Sequence, residues 1–382
     1  MEGRERQFEQ LLAGAMALSS EGAIDHPLAP NEEPLLNGLP YRTFRSSVSV
    51  AERRLAGTFF SGTRLARQLA ARLRNEVSDT ALVVDPTCGI GDLLLAYAEG
   101  LPLKETLSET VAMWGERLAG FDLNAELVQM TKARLVLLAR SRGGFREGVA
   151  NQARMFPRIV VGDMFQQAEL INAADAFLFN PPFGMTSDYS EGAWATGQVN
   201  SAAVFLDELV KNKRAEAPIA AVLPEVLRCG SRYASFREYL EQWGLCGDYE
   251  SFGRFDQWTD VDVFVSTLKA SPTPLIWRSD MLPKSSIGNT FDIRVGPVVP
   301  HRHPNKGPWH PYICAKTTPR WSRSFQPIMN RRFKGTAFKP PFVVVRRTSS
   351  PSDKARAVGS IIVGERPVAV ENHLIVLLPE TG

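Results

Sequence analysis

With 382 residues, 44% of them apolar and 22% charged, the chain is close to globular averages of roughly 45–50% and 25%, which excludes a largely disordered protein and favours one large domain with a smaller one. Four cysteines without C-x-x-C spacing exclude a zinc ribbon or a disulfide framework. Because no apolar run approaches the roughly 18 residues of a membrane span, we expect a cytoplasmic protein that needs neither a membrane nor a metal.

The first 48 residues are predicted to form one helix and a connector. Within residues 2–18, apolar side chains such as Phe8, Leu12 and Ala15 recur near helical spacing, which is typical of an amphipathic helix. Four prolines between positions 27 and 40 then interrupt the pattern, and prolines at this density indicate a connector.

Residues 49–271 alternate between short apolar runs and helical patterns. The predicted strands are Ala81–Val84, Leu118–Phe121, Ile159–Val161, Ala176–Phe179, Ile219–Leu223 and Asp262–Leu268. The predicted helices include residues 64–75, 93–99, 125–140 and 202–213, with an inserted helix within 101–117. Strands that alternate with helices favour a mostly parallel sheet covered on both faces, which is a Rossmann-like α/β fold.

Residues 272–382 differ in pattern and charge from the rest. Prolines are frequent, helical periodicity is absent, and short runs such as FVVVRR predict a smaller β-rich module. Residues 283–382 hold 16 Lys and Arg against 5 Asp and Glu, a net charge of +11, whereas residues 1–282 carry −8. A basic module on an acidic body suggests a polyanionic partner, with a solvated basic face as the alternative. The final apolar run fits a complete module or one that is cut short.

Acidic residues and glycines follow the predicted strands. Asp85 ends the first strand and is followed by Gly89 and Gly91, whose freedom lets the backbone pass close to a ligand. The third glycine of the dinucleotide motif is missing, so a pyrophosphate site is disfavoured. Asp122 ends the second strand, where a carboxylate can accept bonds from the ribose hydroxyls of an adenosine or cap the next helix. Asp163 follows the third strand.

The fourth strand leads into Asn180-Pro181-Pro182-Phe183. Two consecutive prolines fix the backbone and remove two N–H donors, so they do not serve a central strand. They leave the Pro181 carbonyl and the Asn180 side chain to face a ligand. A plain strand-ending turn would account for the prolines, but not for the asparagine before them and the aromatic after them.

These residue types suit the methylation of a planar amino group. The exocyclic nitrogen of adenine is a weak nucleophile because its lone pair is delocalised into the ring. If the Asn180 side-chain oxygen and the Pro181 carbonyl accept its hydrogens, the lone pair can face a methyl donor, while Phe183 stacks on the base. Transfer from a sulfonium ion then requires positioning and desolvation more than a strong base or a metal.

Taken together, DPTCGIGDLL, GFDLN, VVGDMF and FLFNPPFG, in that order, resemble the N6-adenine DNA methyltransferases of restriction–modification systems. The resemblance covers roughly residues 50–270. It implies a class I methyltransferase fold, S-adenosylmethionine as cofactor, and double-stranded DNA whose target base is flipped out. Because Asn180 follows Asp163 by only 17 residues, the recognition module must come later, as in the gamma class, and residues 272–382 are expected to supply it. A restriction or specificity subunit is a further expected partner.

The resemblance also implies cofactor-binding residues. Phe60 and Thr63 would line the methionine end of the cofactor, although Ser61-Gly62 stands where the family usually has Thr-Pro. Asp122 would bind the ribose and Asp163 the adenine amine. The full expected set is Phe60, Thr63, Asp85, Thr87, Gly89, Gly91, Asp122, Leu123, Asp163, Met164 and Asn180. Phe255 is expected to be a second aromatic, beside Phe183, against the flipped base.

Phosphate contacts are expected from the basic module, with candidates Arg331, Arg332, Lys334, Arg346 and Arg347. Two alternatives stay open. N-P-P-[YF] also occurs in enzymes that methylate protein glutamine amides or ribosomal RNA, so the substrate class is not fixed. The chain is also compatible with a DNA-binding modification subunit that needs a partner for activity.

Overall fold

A computed structural model describes residues 2–20, 33–48, 61–146, 149, 152–187, 189, 194–195, 197–255, 261–271, 277, 287–347 and 358–379. The chain divides into two compact units, Met1–Arg278 and Ser279–Gly382. Over the described residues, no helix is both long and apolar enough to cross a membrane.

Two helices begin the first unit, α1 (Glu2–Ser19) and α2 (Leu39–Ser47), with a short 3-10 turn between them at Glu33–Leu35. The predicted apolar face of α1 is buried, and the Phe8 ring meets that of Phe44 edge to face with centroids 5.1 Å apart. Part of α2 lies in the expected connector. Pro40 stands in the first turn of α2, where a proline starts a helix rather than breaking one.

The rest of the first unit alternates between helices and strands. In chain order these are α3 (Gly62–Arg74), β1 (Val83–Asp85), α4 (Asp92–Ala98), α5 (Leu107–Arg117), β2 (Leu118–Asp122), α6 (Ala125–Gly143), α7 (Gln152–Met155), β3 (Ile159–Val161), α8 (Ala168–Ala173), β4 (Ala176–Phe179), β5 (Met185–Thr186), β6 (Val199–Asn200), α9 (Ser201–Asn212), β7 (Ile219–Pro224), α10 (Glu225–Cys229), α11 (Ala234–Gln242), β8 (Leu245–Arg254) and β9 (Asp262–Ala270).

Seven of these strands form one sheet in the order β3-β2-β1-β4-β7-β9-β8. Neighbours from β3 through β7 pair in parallel, and β9 is antiparallel to both β7 and β8. The predicted Rossmann-like, mostly parallel α/β fold is therefore confirmed. Every residue of β1, β4 and β7 is buried, as expected for strands covered by helices on both faces.

The strand order reverses between β1 and β4, and this reversal positions the site. Successive strands run outward from β1 to β2 and β3 on one side, while β4 and β7 lie on the other side. The loops that leave β1 and β4 therefore separate at their carboxyl ends. In open α/β sheets, ligands bind in the crevice at such a point.

The second unit is β-rich, as predicted. Its strands are β10 (Phe291–Val295), β11 (Trp309–Ile313), β12 (Met329–Arg332), β13 (Phe342–Arg346), β14 (Gly359–Ile362), β15 (Ala369–Val370) and β16 (Leu374–Pro379). A four-stranded sheet has the order β10-β16-β13-β14, and a three-stranded sheet has the order β12-β11-β15. Its apolar core includes Ile313, Phe342, Val344, Leu374 and Val376.

Candidate active site

A cavity of about 710 Å³ opens at the carboxyl ends of β1 to β4, a size typical of sites for small ligands, roughly 300–1,000 Å³. It brings together most of the predicted cofactor residues, which lie in four separate segments of the chain. The predicted residues on its wall are Asp85, Thr87, Gly89, Asp122, Leu123, Asp163, Met164, Asn180 and Pro182.

The cavity wall is acidic. Six of its lining residues carry carboxylates, namely Glu9, Asp85, Asp92, Asp122, Glu126 and Asp163, and no Lys, Arg or His belongs to the wall as the described residues form it. Carboxylates at close range favour a cationic ligand and repel a phosphate. The site is therefore unsuited to a pyrophosphate-bearing dinucleotide.

Asp85 lies at the bottom of this acidic wall and is almost fully buried. Burial raises the pKa of its carboxyl to about 8, with smaller contributions from the neighbouring Asp122 and Asp92, while the Thr87 N–H, which donates at 3.1 Å, opposes the rise. A buried carboxyl of this kind gains most by becoming charged next to a cation.

Asp122, the last residue of β2, also lies on the cavity wall. Its two oxygens accept from the backbone N–H of Gly89 at 3.1 Å and of Asn124 at 2.8 Å. Burial raises the pKa of the Asp122 carboxyl, and the same two hydrogen bonds oppose that rise. The helix that follows is capped by Asn124 instead, whose side chain accepts from the Glu126 N–H. The simple capping role considered for Asp122 therefore falls to its neighbour.

The turn after β1 that contains Gly89 and Gly91, here called the glycine turn, packs against Thr131 of α6. Gly91 has φ +82°, a region that favours glycine, and a Cβ there would lie 2.6 Å from the Thr131 Cγ2. The Thr131 hydroxyl donates to the Gly89 carbonyl at 2.8 Å. Gly91 thus shapes the turn from behind, whereas Gly89 lies on the cavity wall.

Asn180 is buried where β4 ends, and it contacts two other segments. Its side-chain nitrogen donates to the Ser61 hydroxyl at 3.0 Å, and its backbone carbonyl accepts from the Thr87 hydroxyl at 3.1 Å. The main chain of Asn180 is therefore bonded to the turn after β1, and its carboxamide to the residue before α3. The Ser61 position, which departs from the usual family pattern, is occupied by a residue that contacts Asn180.

Phe183 and Phe255 meet beyond the two prolines. Both rings are buried, and they pack edge to face with centroids 5.3 Å apart. The Phe183 carbonyl accepts from the Asn200 side chain at 3.0 Å, which ties the segment to the start of α9. In this arrangement the two rings touch, so a base would have to stack beside the pair or separate the rings.

Two of the predicted cofactor residues that the structure describes, Gly91 and Thr63, are not on the cavity wall. Phe60 is outside the described residues. Thr63 lies on α3 and lines a smaller neighbouring pocket of about 250 Å³, not the acidic cavity. Phe8 and Glu9 of α1 also lie on the cavity wall, although their sequence pattern did not indicate a role in the site. Helical periodicity predicted which face of α1 is buried, but it did not indicate that this face lies against the cavity.

The basic residues predicted to contact DNA differ in their surroundings. Arg331 is half-buried and donates to the His303 carbonyl at 2.6 Å, and Arg346 donates to the Thr318 carbonyl at 3.2 Å. Arg332 is exposed and lies over the Trp309 ring, 5.0 Å from its centroid. Lys334 and Arg347 are also exposed. The described part of the chain contains no group of three or more potential metal ligands.

No protein-family model and no curated protein matches the chain. Solved structures do match. The type IIL restriction-modification enzyme MmeI in complex with DNA is 11% identical, with a TM-score of 0.56, over 91% of this chain and 66% of that one.

Two further structures match over smaller shares of their length. The DrdV–DNA complex is 16% identical over 65% of this chain and 30% of that chain, with a TM-score of 0.48. A Vibrio vulnificus protein assigned as a type I modification subunit is 19% identical over 62% of this chain and 49% of that chain, with a TM-score of 0.41. The chain thus spans less than half the length of these two proteins. The Rossmann-like, mostly parallel α/β fold of its first unit is consistent with the match to MmeI at the level of fold.

Proposed function

We propose that the chain is an S-adenosylmethionine-dependent methyltransferase of the gamma class that methylates the N6 amino group of adenine in double-stranded DNA, within a restriction–modification or phage-defence system. The observation that carries the proposal is the junction at Asn180. There the Asn-Pro-Pro segment leaves β4 at the wall of an acidic cavity, and the Asn180 carboxamide is oriented by Ser61 at 3.0 Å.

The acidic wall supports the choice of cofactor. S-adenosylmethionine carries a sulfonium, an ammonium and a carboxylate group and is therefore a net cation. Six acidic side chains line the cavity, and one of them, Asp92, is paired with Arg134. Asp122, at the end of β2, is in the position at which acids of nucleotide-binding folds accept from ribose hydroxyls. Leu123 and Met164 add apolar side chains to the cavity wall, and Asp163 is proposed to bind the adenine amine.

The residues around Asn180 are proposed to prepare the amino group for attack. When bound, S-adenosylmethionine supplies a methyl group that its sulfonium already activates, so the protein acts chiefly by positioning. The Asn180 side-chain oxygen and the Pro181 carbonyl accept the two amino hydrogens and turn the nitrogen lone pair away from the ring. Phe183 supplies an apolar face for the base, with Phe255 packed against it.

The second unit is proposed to bind the DNA. Its net charge of +11 over residues 283–382 favours a polyanion, and phosphate contacts would help to offset the few kcal/mol that base flipping costs. We assign Arg332, Lys334 and Arg347 to direct contacts, since these three are exposed. Arg331 and Arg346 would act from half-buried positions. A restriction or specificity subunit remains a proposed partner, and the four free thiols fit a cytoplasmic location.

The test is methyl transfer from labelled S-adenosylmethionine to total DNA and to total RNA in parallel, followed by mass spectrometry of the nucleosides. We expect N6-methyladenine in DNA. Asn180→Ala should reduce transfer by about 100-fold or more, the effect of losing one positioned hydrogen-bonding group, while cofactor binding changes little. Asn212→Ala is the matched control, because Asn212 bonds to Glu208 on the surface of α9 and should behave as wild type.

The other outcomes separate the alternatives. Methyl transfer to RNA, or to a glutamine-containing protein, would show that the proposed substrate is wrong and that the proposed methyltransferase chemistry is right. Binding of cofactor and DNA without transfer until a partner is added would identify a modification subunit that depends on that partner. Loss of cofactor binding in Asn180→Ala would assign Asn180 to the cofactor site rather than to catalysis.

A further inference from the structure

A buried arginine joins the N-terminal region to the cavity. Arg134 lies on α6 with 1% of its surface exposed. Its guanidinium donates to the carbonyls of Leu35 at 2.8 Å and Leu36 at 3.2 Å, both in the turn before α2. The same group donates to the Ile90 carbonyl at 2.5 Å, in the glycine turn after β1. One side chain thus contacts two segments that are far apart in sequence.

The contact continues through Asp92. Arg134 donates to one oxygen of Asp92 at 2.9 Å, and the other oxygen accepts from the Gly62 N–H at 3.2 Å. Gly62 follows Ser61, which accepts from the Asn180 side chain. Polar contacts therefore connect the N-terminal turn to the glycine turn and to Gly62, and the peptide bond between Gly62 and Ser61 continues this connection to Asn180.

The N-terminal region itself forms part of the cavity. Phe8 and Glu9 of α1, with Phe44, Ser47 and Val48 in and after α2, lie on its wall. Phe8 and Phe44 also pack with Ile90 and Leu127 in one apolar cluster. The N-terminal helices thus cover the cavity, and Arg134 is the buried cation at their junction with the glycine turn.

From this geometry we infer that Arg134 is a positioning residue that holds the N-terminal helices and the glycine turn in the arrangement that binds cofactor. The inference rests on the proposed function in one respect, that the cavity binds S-adenosylmethionine. Only a planar group with several donors reaches all four oxygens at once. A lysine would keep the charge beside Asp92 but lose the connection between the two segments.

The test compares Arg134→Lys with Arg140→Lys. Arg140 lies on the same helix, is also buried, and donates to the Leu18 carbonyl of α1 at 2.7 Å. This bond joins α6 to α1, whereas the bonds of Arg134 reach the glycine turn. Hydrogen exchange of the full chain without ligand is measured first, for peptides that cover residues 33–36 and 89–92. We expect faster exchange in both segments for Arg134→Lys, and unchanged exchange at 89–92 for Arg140→Lys.

Cofactor affinity is measured next by calorimetry. Arg134→Lys should raise the Kd for S-adenosylmethionine about tenfold, which is about 1.4 kcal/mol, and Arg140→Lys should leave it at the wild-type value. If Arg134→Lys does not fold, Asp92→Asn replaces it in the exchange measurement only, because Asp92 also lines the cavity and the loss of its charge would itself lower the affinity.

Unchanged exchange at 89–92 in Arg134→Lys, or equal effects of the two lysine variants, would overturn the inference. A wild-type chain that fails to bind S-adenosylmethionine would instead count against the proposed function. The exchange comparison needs no ligand, so it decides the role of Arg134 in either case.

Discussion

We predict that the buried Asp85 carboxyl at the end of β1 binds the cofactor as an anion. The test compares wild type with Asp85→Asn by measuring cofactor affinity between about pH 6 and about pH 9. The pKa of Asp85 is raised by burial to about 8. If only the charged form attracts the cation, wild-type affinity should fall roughly tenfold for each pH unit below 8. The Kd at about pH 6 should then be roughly 100 times that at about pH 9.

The effect of pH on folding stability has the opposite sign to its effect on cofactor binding. Because the folded pKa lies above the ordinary value of 3.8, the stability that Asp85 contributes is fully present below about pH 4 and is lost as the pH rises through about 8. Rising pH should therefore lower the free energy of unfolding through this group, while it strengthens cofactor binding. Thermal unfolding with and without cofactor should show the two opposite trends.

Calorimetry in buffers of different ionisation enthalpy gives both the Kd and the protons released on binding. The pKa of Asp122 is also raised by burial, and the amino group of the cofactor titrates near neutral pH. The Asp85→Asn variant keeps both of these contributions and removes the one from Asp85. A pH dependence equally steep in wild type and Asp85→Asn would refute the role assigned to Asp85.

Two further predictions concern the glycine turn and the basic unit. Gly91→Ala should destabilise the protein by more than the roughly 1–2 kcal/mol expected for a left-handed residue alone, because the added Cβ would contact Thr131. Gly144→Ala is the control, since Gly144 has φ +62° and nothing within 4 Å of its Cβ position, so it should show only the backbone effect. Equal urea midpoints for the two variants would contradict this prediction. Arg332→Ala should weaken DNA binding and lower the slope of log affinity against log salt by about 1, whereas Arg294→Ala, which removes an arginine already paired with Asp292 at 2.9 Å, should change that slope much less.

The central sheet could be predicted from the sequence because its strands are buried on both faces. Ile159–Val161 and Ala176–Phe179 appear with the bounds expected from their apolar runs. The polar side chains that follow these two strands, Asp163 and Asn180, line the same cavity because parallel strands place their carboxyl ends at one edge. β8 was not predicted as a full strand, since most of its residues are exposed or half-buried and it has no continuous apolar run.

What the sequence did not indicate depends on contacts between distant segments. Arg134 lies 99 residues from Leu35 and 42 from Asp92, and on a helix it has the sequence pattern of an ordinary exposed arginine. Surroundings of this kind were equally invisible for Arg331 and Arg346, each of which donates to a backbone carbonyl of its own unit. Their phosphate contacts stay a prediction.

The acidic cavity wall has a consequence for turnover in the proposed reaction. The acidic side chains of the wall favour a ligand that carries a sulfonium, and methyl transfer leaves a neutral thioether in its place. The wall should therefore hold the spent cofactor less tightly than the fresh one, because part of the electrostatic attraction is lost with the methyl group. The charge that selects the donor would in this way also promote release of the by-product and limit its inhibition of the next cycle.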